Sequence, residues 1–195
     1  MNANAERLKL VVAVGGASGA PYARRLLDAL ADLPRALVEP HVVFSQTARQ
    51  VWSEELGPTP DESRFPFWSP KDFRAPFASG SAGFHAMVVI PCSMGGLARI
   101  AHGISEDLIG RAADVMLKER RKLILVARET PLSLVHLENM AQVTRAGAIV
   151  LPAMPSFYGR PRTVDELVDT VVGRVLDQLG LPARRGPRWG EEAKS

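Results

Sequence analysis

Cysteine is all but missing from this chain: Cys92 stands alone among 195 residues. No internal disulfide can form, and a reducing, cytoplasmic setting is expected. Long apolar runs are missing too, since no stretch approaches the ~20 uninterrupted apolar residues of a membrane helix. The opening MNANAERLKL has neither the apolar core of a signal peptide nor a long basic amphipathic stretch. Membrane insertion is therefore not expected. Charge of one sign is scarce as well: 24 Lys and Arg against 21 Asp and Glu leave a formal charge of +3, and aromatics make up only 6%. A nucleic-acid surface calls for a long basic stripe interleaved with exposed aromatics, and nothing here supplies one. The four histidines, His41, His85, His102 and His136, lack the carboxylate or cysteine spacing of a metal site, so no metal is expected and structural roles suit all four.

Glycine-rich turns and clustered arginine are what the chain does have. The run VVAVGGASGAP at 11–21 is a short apolar stretch that breaks into a glycine turn just before a helical pattern. Glycine permits backbone angles and close approaches denied to larger residues, and the free amides opening a helix attract anions. Ser18 adds a hydroxyl beside them. The arginines gather at 111–128, 160–162 and 184–188, mostly inside apolar segments, a pattern suited to small phosphorylated ligands.

Length fits one domain over 1–195, long enough to bury roughly 70% of its unfolded surface. Apolar runs at 8–14, 41–45, 86–90, 122–127 and 147–151 read as strands. Stretches with helical spacing lie between them at 21–33, 46–56, 95–102, 107–121, 132–146 and 164–179. Such alternation implies right-handed crossovers and a parallel sheet covered on both faces, an α/β three-layer sandwich of flavodoxin-like or Rossmann-like type. The segment 57–83 has no clear period and is expected to form a loop or lid holding a short strand or helix. Ligands in these sheets sit beyond the carboxyl ends of the strands. That is where the unusual residues fall: GGAS after the first strand, Ser45 after the second, CSMGG after the third, Arg128-Glu129 after the fourth and PSFY after the fifth.

Taken in order, GGASGA, Ser45 with Glu55, FASGS at 77–81, PCSMGGLARIAHG at 91–103, the run RAADVMLKERRKLILVARETPLSLVHLENM at 111–140, PSFYGRP at 155–161 and PRWGE at 187–191 closely resemble the UbiX-type flavin prenyltransferases. Proteins of this kind were formerly labelled aromatic acid decarboxylases. The resemblance covers about 8–191. It implies a homo-oligomer, typically a dodecamer, that joins the dimethylallyl group of dimethylallyl monophosphate to N5 and C6 of reduced FMN. The product, prenylated FMN, passes to a UbiD-type decarboxylase.

Carried over residue by residue, the resemblance implies flavin contacts from Gly16, Ala17, Ser18, Ser45, Ser93, Met94, Gly95, Gly96 and Arg128. Related sequences often carry lysine or threonine at 95 or 96, so contacts at these two glycines are expected from main chain alone. The resemblance places Lys118, Arg128, Tyr158 and Arg174 at the allylic phosphate, with Arg111 and Trp189 completing the substrate site. Arginine and lysine suit that task, because a departing phosphate needs permanent positive charge. Glu55 and Glu129 are candidates for proton transfer. Glu129 is equally placed to pair with Arg128. Glu54 and Glu55 point about 100° apart on a helix, and the resemblance selects Glu55. Cys92, flanked by apolar residues, reads as core rather than nucleophile. The tail at about 180–195 is expected to pack on a neighbouring subunit; its Trp189, and Phe73 in the lid, could shield an allylic cation or simply pack at a subunit interface.

Rival readings are an FMN-dependent cysteine decarboxylase and a noncatalytic FMN carrier. A cysteine decarboxylase would show a catalytic histidine after the second strand and a PASANT-like loop where this chain has PCSMGG. A carrier would lack the set Lys118, Arg128, Tyr158 and Arg174.

Overall fold

In the computed structural model, residues 7–183, 185 and 186 are described. Six parallel strands form one sheet: β1 Leu8–Val14, β2 Val38–Phe44, β3 Phe67–Trp68, β4 Ala86–Cys92, β5 Lys122–Ala127 and β6 Ile149–Val150, in the order β3-β2-β1-β4-β5-β6. This is the 3-2-1-4-5-6 order of dinucleotide-binding sheets, and without the two-residue edge strand β3 it reduces to the flavodoxin order. Both expected descriptions apply.

Strand residues alternate between two cores, which makes the three layers. Leu10, Val12 and Val14 face α1 (Ala20–Ala31), α2 (Gln46–Leu56) and α6 (Val164–Leu179). Val11 and Ala13 face α3 (Met94–Ala101), α4 (Leu108–Lys118) and α5 (Leu134–Arg145). Because both faces are covered, the strands read as continuous apolar runs rather than alternating ones.

β1, β5, α2 and α6 have the limits expected from sequence. β2 begins three residues early because Pro40 is tolerated inside it. Val42 N donates to Pro66 O on the β3 side, so the position two residues earlier also faces that side, where β3 has not yet begun and no amide is needed. α4 starts one residue late because Asp107 is its cap, accepting from Gly110 N at 2.8 Å. The aperiodic segment 57–83 holds β3 and two short 3-10 turns, Pro76–Ala78 and Gly80–Ala82.

The histidines have structural partners. His41 is buried against Trp68, whose indole N–H donates to it; His85 accepts from Lys9 N; His102 meets Asn139; His136 completes the capping box of α5. Cys92 is fully buried, and that burial pushes its thiol up to about 12.

The described part of the tail folds on its own chain. Leu181 joins the core, and Arg185 pairs with Asp32 at 2.9 Å. Gly173 of α6 lets the tail pass: a Cβ there would stand 2.1 Å from Arg185 O. Gly173→Ala should therefore push the tail off α6 and cost about 1–3 kcal/mol, as overpacking does. A thermal melt should show a fall of several degrees, and an unchanged melt would contradict the close approach.

Candidate active site

The central pair β1 and β4 is where strand order reverses, so the chain leaves β1 toward one face and β4 toward the other. Between them opens the crevice that such sheets use for ligands. Two glycines shape its floor. Gly15 N donates to Pro91 O at 3.0 Å, and a Cβ on Gly15 would lie 2.5 Å from that oxygen. A Cβ on Gly16 would lie 2.6 Å from Thr47 Cβ. The register between β4 and β5 shifts between Val89 and Cys92, a local irregularity of the kind that re-aims side chains beside sites.

Ser45 and Ser93 cap the helices that leave this floor. Ser45 Oγ accepts from Ala48 N at 3.0 Å, and Ser93 Oγ accepts from Gly96 N at 3.2 Å. Each hydroxyl still has its own proton to donate. With Gly15, Gly16, Gly96 and Arg99 they line a notch of about 50 Å³. Met94 turns its side chain into the core, so only its backbone is available, and Ala17 is likewise buried.

One expectation is corrected. The amides after the glycine turn do not stand open for a phosphate: Glu55 takes them. Its carboxylate accepts from Gly19 N at 3.1 and 2.9 Å and from Ala20 N at 2.8 Å. Gly19 adopts φ +122°, a conformation that favours glycine, and an anionic cap is favourable at the positive end of α1. Glu54 turns the other way, toward Gln50. Burial alone would raise the Glu55 carboxyl, but hydrogen bonds from Ser18, Gly19 and Ala20 and the charge of Arg128 outweigh it and hold it below its ordinary value.

Arg128 follows β5, its amide donating to Cys92 O at 3.1 Å. Its charge is felt by Glu55 and by Tyr22, whose hydroxyl is pushed up by burial and pulled down by Arg128. Glu129 does not pair with it; Glu129 Oε1 accepts from Thr130 N instead. Ser18, Glu55, Tyr22 and Arg128 thus gather on the β1 side of the crevice.

The other candidates are not brought there by one chain. Lys118 ends α4, just before β5 begins at Lys122, and pairs with Glu119. Six strand residues at about 3.3 Å each separate that end of the sheet from Arg128, roughly 20 Å along the strand. Arg111, two turns earlier on α4, donates to Ala78 O and Asp114. Tyr158 and Arg174 both line a separate groove of about 880 Å³ beside β6, with Ser156 and Arg185; Arg174 pairs there with Asp177. Trp189 lies outside the described residues. Phe73 is half exposed in the 57–83 segment.

Residues 1–176 match the family described as Flavoprotein. A flavin prenyltransferase UbiX from Methanocaldococcus jannaschii is 45% identical over 186 residues, covering 94% of this chain and 99% of its own. The chain belongs to the UbiX-type flavin prenyltransferases. A crystal structure of AnUbiX (PadA1) in complex with FMN and dimethylallyl pyrophosphate superposes with a TM-score of 0.90 at 44% identity, covering 95% of this chain and 99% of that one. A dodecameric FMN-dependent UbiX-like decarboxylase from Escherichia coli O157:H7 gives 0.88 at 46%, covering 94% and 100%.

Two members of the crevice were missed in the sequence. Tyr22 lies one turn into α1, on a face that periodicity assigns to packing. Arg99 lies four residues after Gly95, so helical spacing alone puts it over the first turn of α3; that spacing was the available signal.

Glu55 ties the crevice to acid stability. Its carboxyl is lowered from 4.5 in the folded chain, so its contribution is present above that value and is lost as pH falls through the lowered one. Glu55→Gln should therefore melt below the parent at pH 7, with the gap narrowing steadily below pH 4.5. Melting curves from pH 7 to 3 measure this, and a constant gap would contradict the cap.

Proposed function

We propose that this chain transfers the dimethylallyl group of dimethylallyl monophosphate to N5 and C6 of reduced FMN, giving prenylated FMN for a UbiD-type decarboxylase. The observation that carries the reading is the crevice itself, a glycine floor flanked by two capping hydroxyls and the guanidiniums of Arg99 and Arg128, in a chain whose relatives are flavin prenyltransferases over nearly their whole length. The flavin suits it. A tricyclic ring is far larger than a 50 Å³ notch, so it would lie across the mouth, where the hydroxyls of Ser45 and Ser93 and the backbone of Gly16, Ala17 and Met94 to Gly96 face it. Bound there, reduced FMN supplies the electron-rich nitrogen and carbon that attack the allylic group.

The protein's own part is to hold the donor, receive its phosphate and manage protons. When the carbon–oxygen bond breaks, phosphate leaves with the bonding pair, and cations must take up that charge. Arg128 is on the spot, with its guanidinium engaged by no hydrogen bond or ion pair among the described residues. Lys118, Tyr158 and Arg174 have the right chemistry in the wrong places for a single chain. A homo-oligomer resolves this: neighbouring copies bring the α4 end and the β6 groove against the crevice. The exposed Leu134, Val135 and Leu137 of α5, with Met154 and Phe157, are apolar surface that such an assembly covers. Glu55, hydrogen-bonded to Ser18 and held ionised, is set to accept the proton released from N5 through the serine hydroxyl, and Glu129 to exchange one with the departing phosphate.

The direct test is anaerobic incubation with reduced FMN and dimethylallyl monophosphate, followed by mass measurement of the extracted flavin. One added C5H8 unit is expected; unmodified FMN with binding intact would favour a carrier or a cysteine decarboxylase. Lys118→Ala should abolish turnover while FMN remains bound, because it removes leaving-group charge without touching the glycine turn; an unchanged rate would remove Lys118 from its role. Sharing of the site between copies is read separately. Lys118→Ala and Arg128→Ala chains, each inactive alone, should recover a fraction of activity when co-expressed, and no recovery would contradict a site built across subunits.

A further inference from the structure

We infer that Arg99 binds the flavin's own phosphate, leaving Arg128 for the phosphate of the allylic donor. This rests on the prenyl-transfer reading and goes beyond it, since it assigns the two anions of that reaction to two different cations of this chain.

Three observations carry it. Arg99, in the last turn of α3, lines the notch with Gly15, Gly16, Ser45, Ser93 and Gly96. Its guanidinium has no hydrogen-bond or ion-pair partner among the described residues, whereas Lys118, Arg111 and Arg174 are each held by a carboxylate. Finally, the guanidinium lies against Gly95: a Cβ at 95 would stand in ordinary contact with Arg99 Nη1, at 3.9 Å. The guanidinium therefore lies back over the opening turn of α3, at Gly95, between the Ser93 hydroxyl cap and the Gly96 amide. The expectation of main-chain contacts alone at Gly95 and Gly96 is thus extended by a side chain four residues on.

Charge elsewhere in the crevice supports the division. The first turn of α1, the other natural anion site, is filled by Glu55. Arg128 acts on Glu55 and Tyr22, while Arg99 acts on Cys92 beneath the notch. Asp107 is the acidic group that also lines the notch, and its carboxylate is engaged by Gly110 N, without an ion pair to Arg99. A bidentate guanidinium is well matched to a phosphate dianion.

The test compares FMN with riboflavin, which carries the same ring without the phosphate, by titration against the protein's flavin fluorescence. In the parent chain FMN should bind more tightly than riboflavin. Arg99→Ala should weaken FMN about ten- to a hundredfold, the range of a charged hydrogen bond, and leave riboflavin within about twofold. Arg99→Lys should recover part of the loss. Since Arg99 is exposed and unpaired in the free chain, these variants should melt with the parent, and Arg99→Gln provides a second neutral form. Equal weakening of FMN and riboflavin, or no change in either, would overturn the assignment while leaving prenyl transfer standing. A parent chain that binds neither flavin would overturn the prenyl-transfer reading itself.

Discussion

The hydrogen bond from Gly15 N–H to Pro91 C=O is the constraint on which the site depends. It joins the turn after β1 to the end of β4 across the point where the chain changes faces of the sheet. The 2.5 Å approach that any Cβ at 15 would suffer shows how little space separates the two segments. From this junction α1 departs to one layer and α3 to the other, each carrying its own set of groups. Ser18 and the amides that hold Glu55 come with α1; Ser93, Gly96 and Arg99 come with α3. Separating the two strand ends would part Ser18 and the Glu55 cap from Ser93, Gly96 and Arg99.

Cations around this junction fall into two kinds. Those facing the crevice, Arg99 and Arg128, carry their charge unshared. Those at a distance, Lys118, Arg111 and Arg174, each rest against a carboxylate on the next residue or the next turn. Exposed pairs of that sort are worth less than about 1 kcal/mol, so a phosphate dianion displaces the carboxylate at small cost. Charge is thus graded by position: unshared in the crevice, and paired with a carboxylate at the α4 end and beside β6.

Much of the architecture was legible because the strands are buried on both faces and so announce themselves as apolar runs, and because Gly180 and the capping Ser45 and Thr163 fix the limits of α2 and α6. Pro40 misled: a proline usually ends a strand, and only the late start of β3 makes it harmless. In the site, the glycine turn was read as an empty anion cradle because nothing local reveals that Glu55, from a different helix, fills it. Spacing did separate Glu55 from Glu54, since two adjacent helical residues cannot share a face. The scatter of Lys118, Arg111, Tyr158 and Arg174 over three regions was not legible, because a motif gives residue identity without its place in space. Arg99 was passed over for the opposite reason: a lone arginine in an apolar helix looks like solvated charge until its lack of a partner is seen.

Glu55 leads to a last point. The carboxylate we propose as the proton acceptor is also the anionic end-stop of α1, held by the backbone of Gly19 and Ala20. A proton arriving on it removes a charged cap from a helix whose first turn carries no side-chain cap of its own and no acidic residue. Proton inventory and stiffness of that turn are therefore one variable.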